Sequence, residues 1–298
     1  MNIIIEDTIA QYEKLFSLKE NKEHFFRYNM MRPFEKMWNM INVPLKATQK
    51  NGYDVIMATN MLGYLDVSQT QTGKQALKKL QEIQALQMAN TTLNYCMNFI
   101  KKHNLHINSD ELRFGLYIAD PKKLEQQKGY CGFGGIPGFI QCSIYPNSYN
   151  IPRIPALIAH EFHHNIRFSY FEWDYGNVTV GDYLIIEGLA ESFAKELYGE
   201  KMLGPWVTSF DQQDLEYSKE VIKDALYTKG FAEVSSYMFG DNIAKEQGYQ
   251  PVGLSPFAGY AVGYQAVQSF MKMNNVGIEE ATVLDTNEIL KNCGLFFT

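Results

Sequence analysis

Three of the six histidines of this 298-residue chain fall within five consecutive residues, His160-Glu161-Phe162-His163-His164, which spell HExxH. On a helix, residues four apart lie one turn up on the same face, so the imidazoles of His160 and His164 can reach a single ion at about 2.0–2.1 Å. Glu161 is turned by about 100° from His160, which suits it to reach a water on that ion rather than to ligate beside the pair. It is the candidate general base. His163 points away from the pair and reads as packing or a surface hydrogen bond. A catalytic zinc needs a third protein ligand and an open position, and no histidine follows His164, which leaves a carboxylate. Glu187 is the first candidate. It stands in the apolar run Leu184-Ile185-Ile186-Glu187-Gly188-Leu189-Ala190-Glu191, where a lone carboxylate is costly to bury. Asp174 and Asp182 are the alternatives. Gly188 would let a neighbouring helix approach closely. Glu191, one turn after Glu187, is a candidate acceptor for the second N–H of a ligating imidazole, or else an ordinary i,i+4 partner of Lys195.

HExxH followed by an EGxAE helix resembles the gluzincin group of metallopeptidases. More narrowly, His160 to His164, Glu187-Gly188-Leu189-Ala190-Glu191, Met238-Phe239-Gly240 and Gly259-Tyr260-Ala261-Val262-Gly263-Tyr264, in that order, resemble the YjaZ-like family of bacterial predicted zinc-dependent proteases. The likeness covers the C-terminal two thirds well and the N-terminal part loosely. One departure is the gap of 22 residues between His164 and Glu187, a few more than in the best-known gluzincins, so the ligand role of Glu187 leans on the motif. The resemblance implies a zincin-like fold, one Zn²⁺ per chain, and hydrolysis of a peptide or protein substrate with Glu161 as general base. It also implies a histidine or tyrosine donor to the oxygen that becomes negative in the transition state. Without a later histidine, Tyr260 is the first choice and Tyr264 the second. They share a face one turn apart on a helix expected to start at Ser255-Pro256, with Gly259 and Gly263 as a small-residue strip; the competing reading makes both core tyrosines in a chain with 19. In metallopeptidases similar to this one, the strand before the HExxH helix lies along the cleft. Gly138, Phe139, Ile140, Gln141, Cys142 and Ser143 are therefore expected to pair with an extended peptide if their strand has a free edge, against the alternative of a strand fully paired within the sheet.

These side chains need elements to hold them. Pro152 and Pro155 suit the start of a helix whose Ala156, Leu157, Ile158, Ala159 and Phe162 are apolar enough to be buried. Upstream, helices are expected from Asp7 as N-cap, over Lys22 to Ile41 with an interruption at Pro33, and over Thr72 to Ile100, where apolar residues recur every three or four positions. Arg113 to Ile118 and Phe139 to Tyr145 read as strands. The glycine-rich run Gly129 to Gly138 reads as an ordinary hairpin, since no GK[ST] or GxGxxG pattern makes it a phosphate cradle. The expected fold is α+β, mostly helical, with a small sheet beside the HExxH helix: a single unit over 1–298 with a helical N-terminal part, 1–108, and a catalytic part, 109–298.

Composition narrows the function. With 27 basic and 33 acidic residues the net charge is −6, which argues against a nucleic-acid partner, because a phosphate-tracking surface needs basic excess. No run is long and apolar enough for a membrane span, the start lacks the pattern of an export signal, and four dispersed cysteines form no CxxC pair. A cytoplasmic protein is the expectation. Substrate specificity, oligomeric state and the physiological metal are not legible. Histidine and carboxylate suit zinc best and would also take cobalt or manganese. The alternative function is a catalytically inactive zinc-binding or regulatory protein on the same scaffold; the retained Glu161 speaks against it, since a structural site needs no base. A hydrolase of small amides or esters stands third.

Overall fold

The computed structural model describes every residue except Lys50, Asn51, Tyr175 and Thr298. Among the described residues, four strands are β1 (Asn2–Ile5), β2 (Glu111–Ile118), β3 (Tyr130–Ile136) and β4 (Phe139–Ile144). Seven helices have ten residues or more: α1 (Thr8–Ser17), α2 (Thr70–Glu82), α3 (Ala85–Lys102), α4 (Ile154–Tyr170), α5 (Val180–Tyr198), α6 (Gln212–Lys223) and α7 (Ala258–Asn274). The protein is α+β and mostly helical, as composition and periodicity lead one to expect. The chain forms two compact units, one of Met1–Asn98 with Ile107–Glu161, the other of Phe99–His106 with Phe162–Thr298.

The first unit is built on the sheet, in the order β1-β2-β4-β3. β1, β2 and β4 run parallel, and β3 returns antiparallel to β4. The β3–β4 hairpin is the ordinary one expected from the glycine-rich run; Gly138 at its turn holds φ +93°, a conformation that glycine adopts at no steric cost. One sheet face carries Tyr117, whose hydroxyl donates to the Met30 carbonyl at 3.2 Å and whose ring meets Phe34 and Tyr64. Glycines of β3 stand against Glu161, at the end of this unit's portion of α4.

Sequence and structure differ here in instructive ways. β1 is not legible in the sequence because its three consecutive isoleucines have no period to read. The Asp7 carboxylate does cap α1, accepting from Ala10 N–H at 3.0 Å. Lys22 to Ile41 is a relay of α-helix, a π-helical turn over Phe26–Met31, a 3-10 turn over Arg32–Phe34 and α-helix again. Pro33, which has no N–H to give, lies where the hydrogen-bonding pattern changes. The single stripe from Thr72 to Ile100 is two helices, because Gln84 takes the left-handed conformation at φ +51° without a glycine or proline to announce it.

In the second unit α5 and α7 form the tightest contact. A Cβ on Gly188 would lie 2.2 Å from the Gly263 carbonyl oxygen, and one on Gly263 would lie 2.2 Å from that of Leu184. The small residues therefore do what their position suggests: they let two backbones touch. α5 opens with a capping box between Thr179 and Asp182 and ends at Gly199, φ +83°. α7 begins at Ala258, two residues beyond Pro256, because Phe257 holds a left-handed conformation at φ +63°. No helix is long and apolar enough to cross a membrane among the described residues.

Candidate metal centre

The HExxH segment lies in the middle of α4, and one ligand atom from each of His160, Glu161 and His164 falls within 4.8 Å of the others. All three side chains are buried, 4%, 5% and 6% exposed. The same α4 carries Ala159, Phe162 and Ile166 fully out of solvent, so an apolar helix holds a polar triplet, which is affordable only if the triplet has partners.

One partner comes from α5. Glu187 Oε2 lies 3.5 Å from His164 Nε2, and Glu187 is 6% exposed among the buried Leu184, Ile185, Ile186, Leu189 and Ala190. That separation is longer than the 2.7–3.2 Å of an ordinary N–H···O hydrogen bond. It is close to the roughly 3.3 Å that separates two ligands on a tetrahedral ion with bonds of about 2.05 Å. The donor set of imidazoles and carboxylate therefore fits a zinc ion.

Glu161 faces the sheet. A Cβ on Gly132 of β3 would fall 2.4 Å from both Cγ and Oε1 of Glu161, and a Cβ on Gly134 would fall 2.1 Å from its main-chain oxygen. Two cysteines lie in the neighbourhood. Burial pushes the Cys131 thiol up to about 11, against a hydrogen bond from Ser143 and with the Glu161 charge adding to the rise; Cys142 is raised further by burial and the same carboxylate. Burial thus favours the neutral thiol at both positions.

Residues 85–291 match the family model described as "Predicted Zn-dependent protease (DUF2268)". The chain belongs to this family. The DUF2268 span starts at Ala85, the first residue of α3, and takes in β2 to β4, α4, α5 and α7. Over their full lengths the chain is 62% identical to the uncharacterized protein YjfC of Bacillus subtilis (strain 168). It is 30% identical to the uncharacterized protein YjaZ of the same organism over 120 residues, 40% of this chain and 42% of that one. The YjaZ-like resemblance read from the motifs is thus a family relationship. No solved structure matches the chain.

Within this DUF2268 member the remaining candidates are placed as follows. His163 is fully buried rather than at the surface, its Nε2 2.9 Å from Thr282 Oγ1 and its ring against Phe193. Asp182 accepts from the Thr179 N–H and hydroxyl at the start of α5, at 3.1 and 2.6 Å. Asp174 is engaged by Gly176 N–H and the Asn177 amide, which lower its pKa. Glu191 accepts from Gly204 N–H at 2.8 Å and from the Trp206 indole at 2.9 Å, while Lys195, its alternative partner, reaches Gln268 Oε1 at 2.6 Å. Tyr260 sits between the rings of Phe239 and Phe257. Tyr264 lies 5.7 Å from Lys195 Nζ, and burial, with Glu200 and Glu191 near, raises its phenol above the usual value.

The strand assignment needs correcting. β4 is hydrogen-bonded to β2 on one side and β3 on the other, so Gly138, Phe139, Ile140, Gln141, Cys142 and Ser143 offer no free edge to a peptide. The edge strand is β3. The sequence showed a strand leading into the HExxH helix but not that its hairpin partner lies outermost. Other residues also went unread. Gly132 and Gly134 bracket Glu161, and their alternation along a strand was the available signal. Arg167, three residues after His164, is buried with its guanidinium on the carbonyls of Thr282 and Leu284 at 2.7 and 2.6 Å. Burial pulls its pKa down to about 10, with Asp285 and Asp182 opposing.

Proposed function

We propose that this chain hydrolyses peptide bonds with one zinc ion held by His160, His164 and Glu187. The observation that carries the reading is the 3.5 Å approach of the Glu187 carboxylate to His164 Nε2 in a buried setting. It offers the third ligand that HExxH alone lacks. Membership of a family described as predicted Zn-dependent proteases supports the same reading.

When bound, zinc polarises the scissile carbonyl and makes a water acidic near neutral pH. Glu161 then takes a proton from the attacking water as its oxygen bonds to the carbonyl carbon, and delivers that proton to the amine nitrogen as the C–N bond breaks. A tyrosine hydroxyl, Tyr260 before Tyr264, donates to the oxygen on which charge develops. The edge strand β3 offers an extended substrate main-chain pairing. Glu191 holds α5 to the Gly204–Trp206 turn and so steadies the helix that carries Glu187. The zincin-like, gluzincin-type fold belongs to the same proposal.

Purified protein should contain one zinc per chain by elemental analysis and cleave members of a peptide library. Glu161→Gln should keep the zinc and lose cleavage, whereas His160→Ala should lose the metal. A wild-type protein that holds zinc but cleaves no peptide would instead be the inactive zinc-binding scaffold, and cleavage that persists in Glu161→Gln would remove Glu161 from the reaction.

A further inference from the structure

We propose that Gly132 is a positioning residue for Glu161: the missing side chain at this point of β3 is the space that seats the Glu161 carboxylate. The inference rests on the proton-carrying role just given to Glu161, and it asks what holds that carboxylate in place.

The glycine-rich run contains glycines of two kinds. Gly129 and Gly138 have φ of +82° and +93°, so their backbone conformation by itself calls for glycine. Gly132 and Gly134 are not among the positive-φ glycines, and any residue could adopt their backbone. What sets them apart is room. At Gly134 an added Cβ would meet the main chain of Glu161, 2.1 Å from O and 2.8 Å from C, which neither element can yield without parting. At Gly132 the three nearest atoms it would meet all belong to the side chain of Glu161, Cγ and Oε1 at 2.4 Å and Cδ at 2.6 Å. Real non-bonded carbons approach to about 3.5–4.0 Å, so the carboxylate would have to move by about 1 Å or more. The two glycines therefore divide the work. Gly134 fixes the depth of α4 against the sheet, and Gly132 fixes the rotamer of the acid. In the hairpin register Gly132 pairs with Cys142 of β4.

The chemical consequence follows from how steeply proton transfer depends on placement. A displacement of about 1 Å can cost a reacting group about 100-fold. Gly132→Ala should therefore fold, bind one zinc per chain as the wild type does, and show kcat lowered about 100-fold with KM changed less than about threefold. A general loss of fold would lower zinc content as well, and a substrate-binding role would appear in KM.

A second measurement does not depend on turnover. In thermal melts with zinc in excess, Gly132→Ala should lower Tm by about 2–5 °C. In a Glu161→Ala background that penalty should fall close to zero, because the atoms that the new methyl meets are gone. Gly134→Ala should keep its penalty, about 5 °C, in either background, because it meets main chain. Unchanged kcat in Gly132→Ala overturns the proposal, and so does a melting penalty of equal size with and without the Glu161 side chain. If the wild-type protein proves to have no peptidase activity, the proposed reaction fails while the melting comparison still decides whether Gly132 seats Glu161.

Discussion

The α5–α7 contact and the β3 strand both depend on glycine, and they use it to opposite ends. Between α5 and α7, Gly188 and Gly263 bring backbone to backbone, each added Cβ falling 2.2 Å from a carbonyl oxygen. In β3, Gly134 does the same against α4, but Gly132 leaves its space to a carboxylate. The first use builds a platform for Glu187 and is a matter of stability. The second, on the function proposed above, leaves a reactive group where it can act. Glycine alone thus does not distinguish scaffold from chemistry; the identity of the atom it makes room for does.

The comparison implies that chemistry and stability can be broken separately. The largest effect should come from Glu161→Gln, which removes a proton carrier and disturbs no packing. kcat should fall by about 10²–10⁴-fold while Tm stays within about 2 °C, measured by peptide turnover and a thermal melt. Next come the tyrosines. Loss of one oxyanion donor costs about 10²–10³-fold, so Tyr260→Phe should lower kcat by that much. Tyr264→Phe, at a ring whose centroid lies 5.7 Å from Lys195 Nζ, should lower it less than tenfold. The reverse order would exchange their roles. Gly263→Ala should then act on stability, costing about 2–3 kcal/mol because a main-chain oxygen cannot step aside, which for a chain of this size is a Tm lowered by about 3–5 °C.

The sequence was informative in proportion to how local each relationship is. His160 and His164 are related by one helical turn, so their shared face could be read from spacing alone. The Asp7 cap likewise sits within a few residues of the helix it starts. Glu187 could be singled out because an acid in an apolar run needs a reason, yet its approach to His164 spans a loop, and only the motif linked them. What stayed hidden was non-local. Strand order decides that β3, not β4, is the edge. The use of Gly132 depends on a helix side chain 29 residues away. Gln84 takes a left-handed conformation that no local residue type announces.

Two acids of α5, Asp182 and Glu187, give the smallest test and the sharpest separation. Asp182 lies in the first turn, where the exposed N–H groups and the helix dipole favour a negative charge, and it closes a capping box with Thr179. Its burial is incomplete, and it accepts from the Thr179 N–H and hydroxyl. Glu187 stands more than one turn further on, where no free helix N–H groups remain to receive a carboxylate, and it is buried among aliphatic side chains beside an imidazole. An acid in the first position stabilises the helix by itself; an acid in the second is tolerable only with a positive partner. Asp182→Ala should therefore cost about 1 kcal/mol, a Tm lower by about 2–4 °C, and leave zinc affinity as it was. Glu187→Ala should weaken zinc binding by more than the 10–100-fold typical of a residue that merely supports a ligand, and should not destabilise the metal-free protein, since it removes a buried charge. Titration of the metal-free variants with zinc, read against their melts, tells the two apart: a large loss of affinity in Asp182→Ala with none in Glu187→Ala would move the third ligand to the start of the helix.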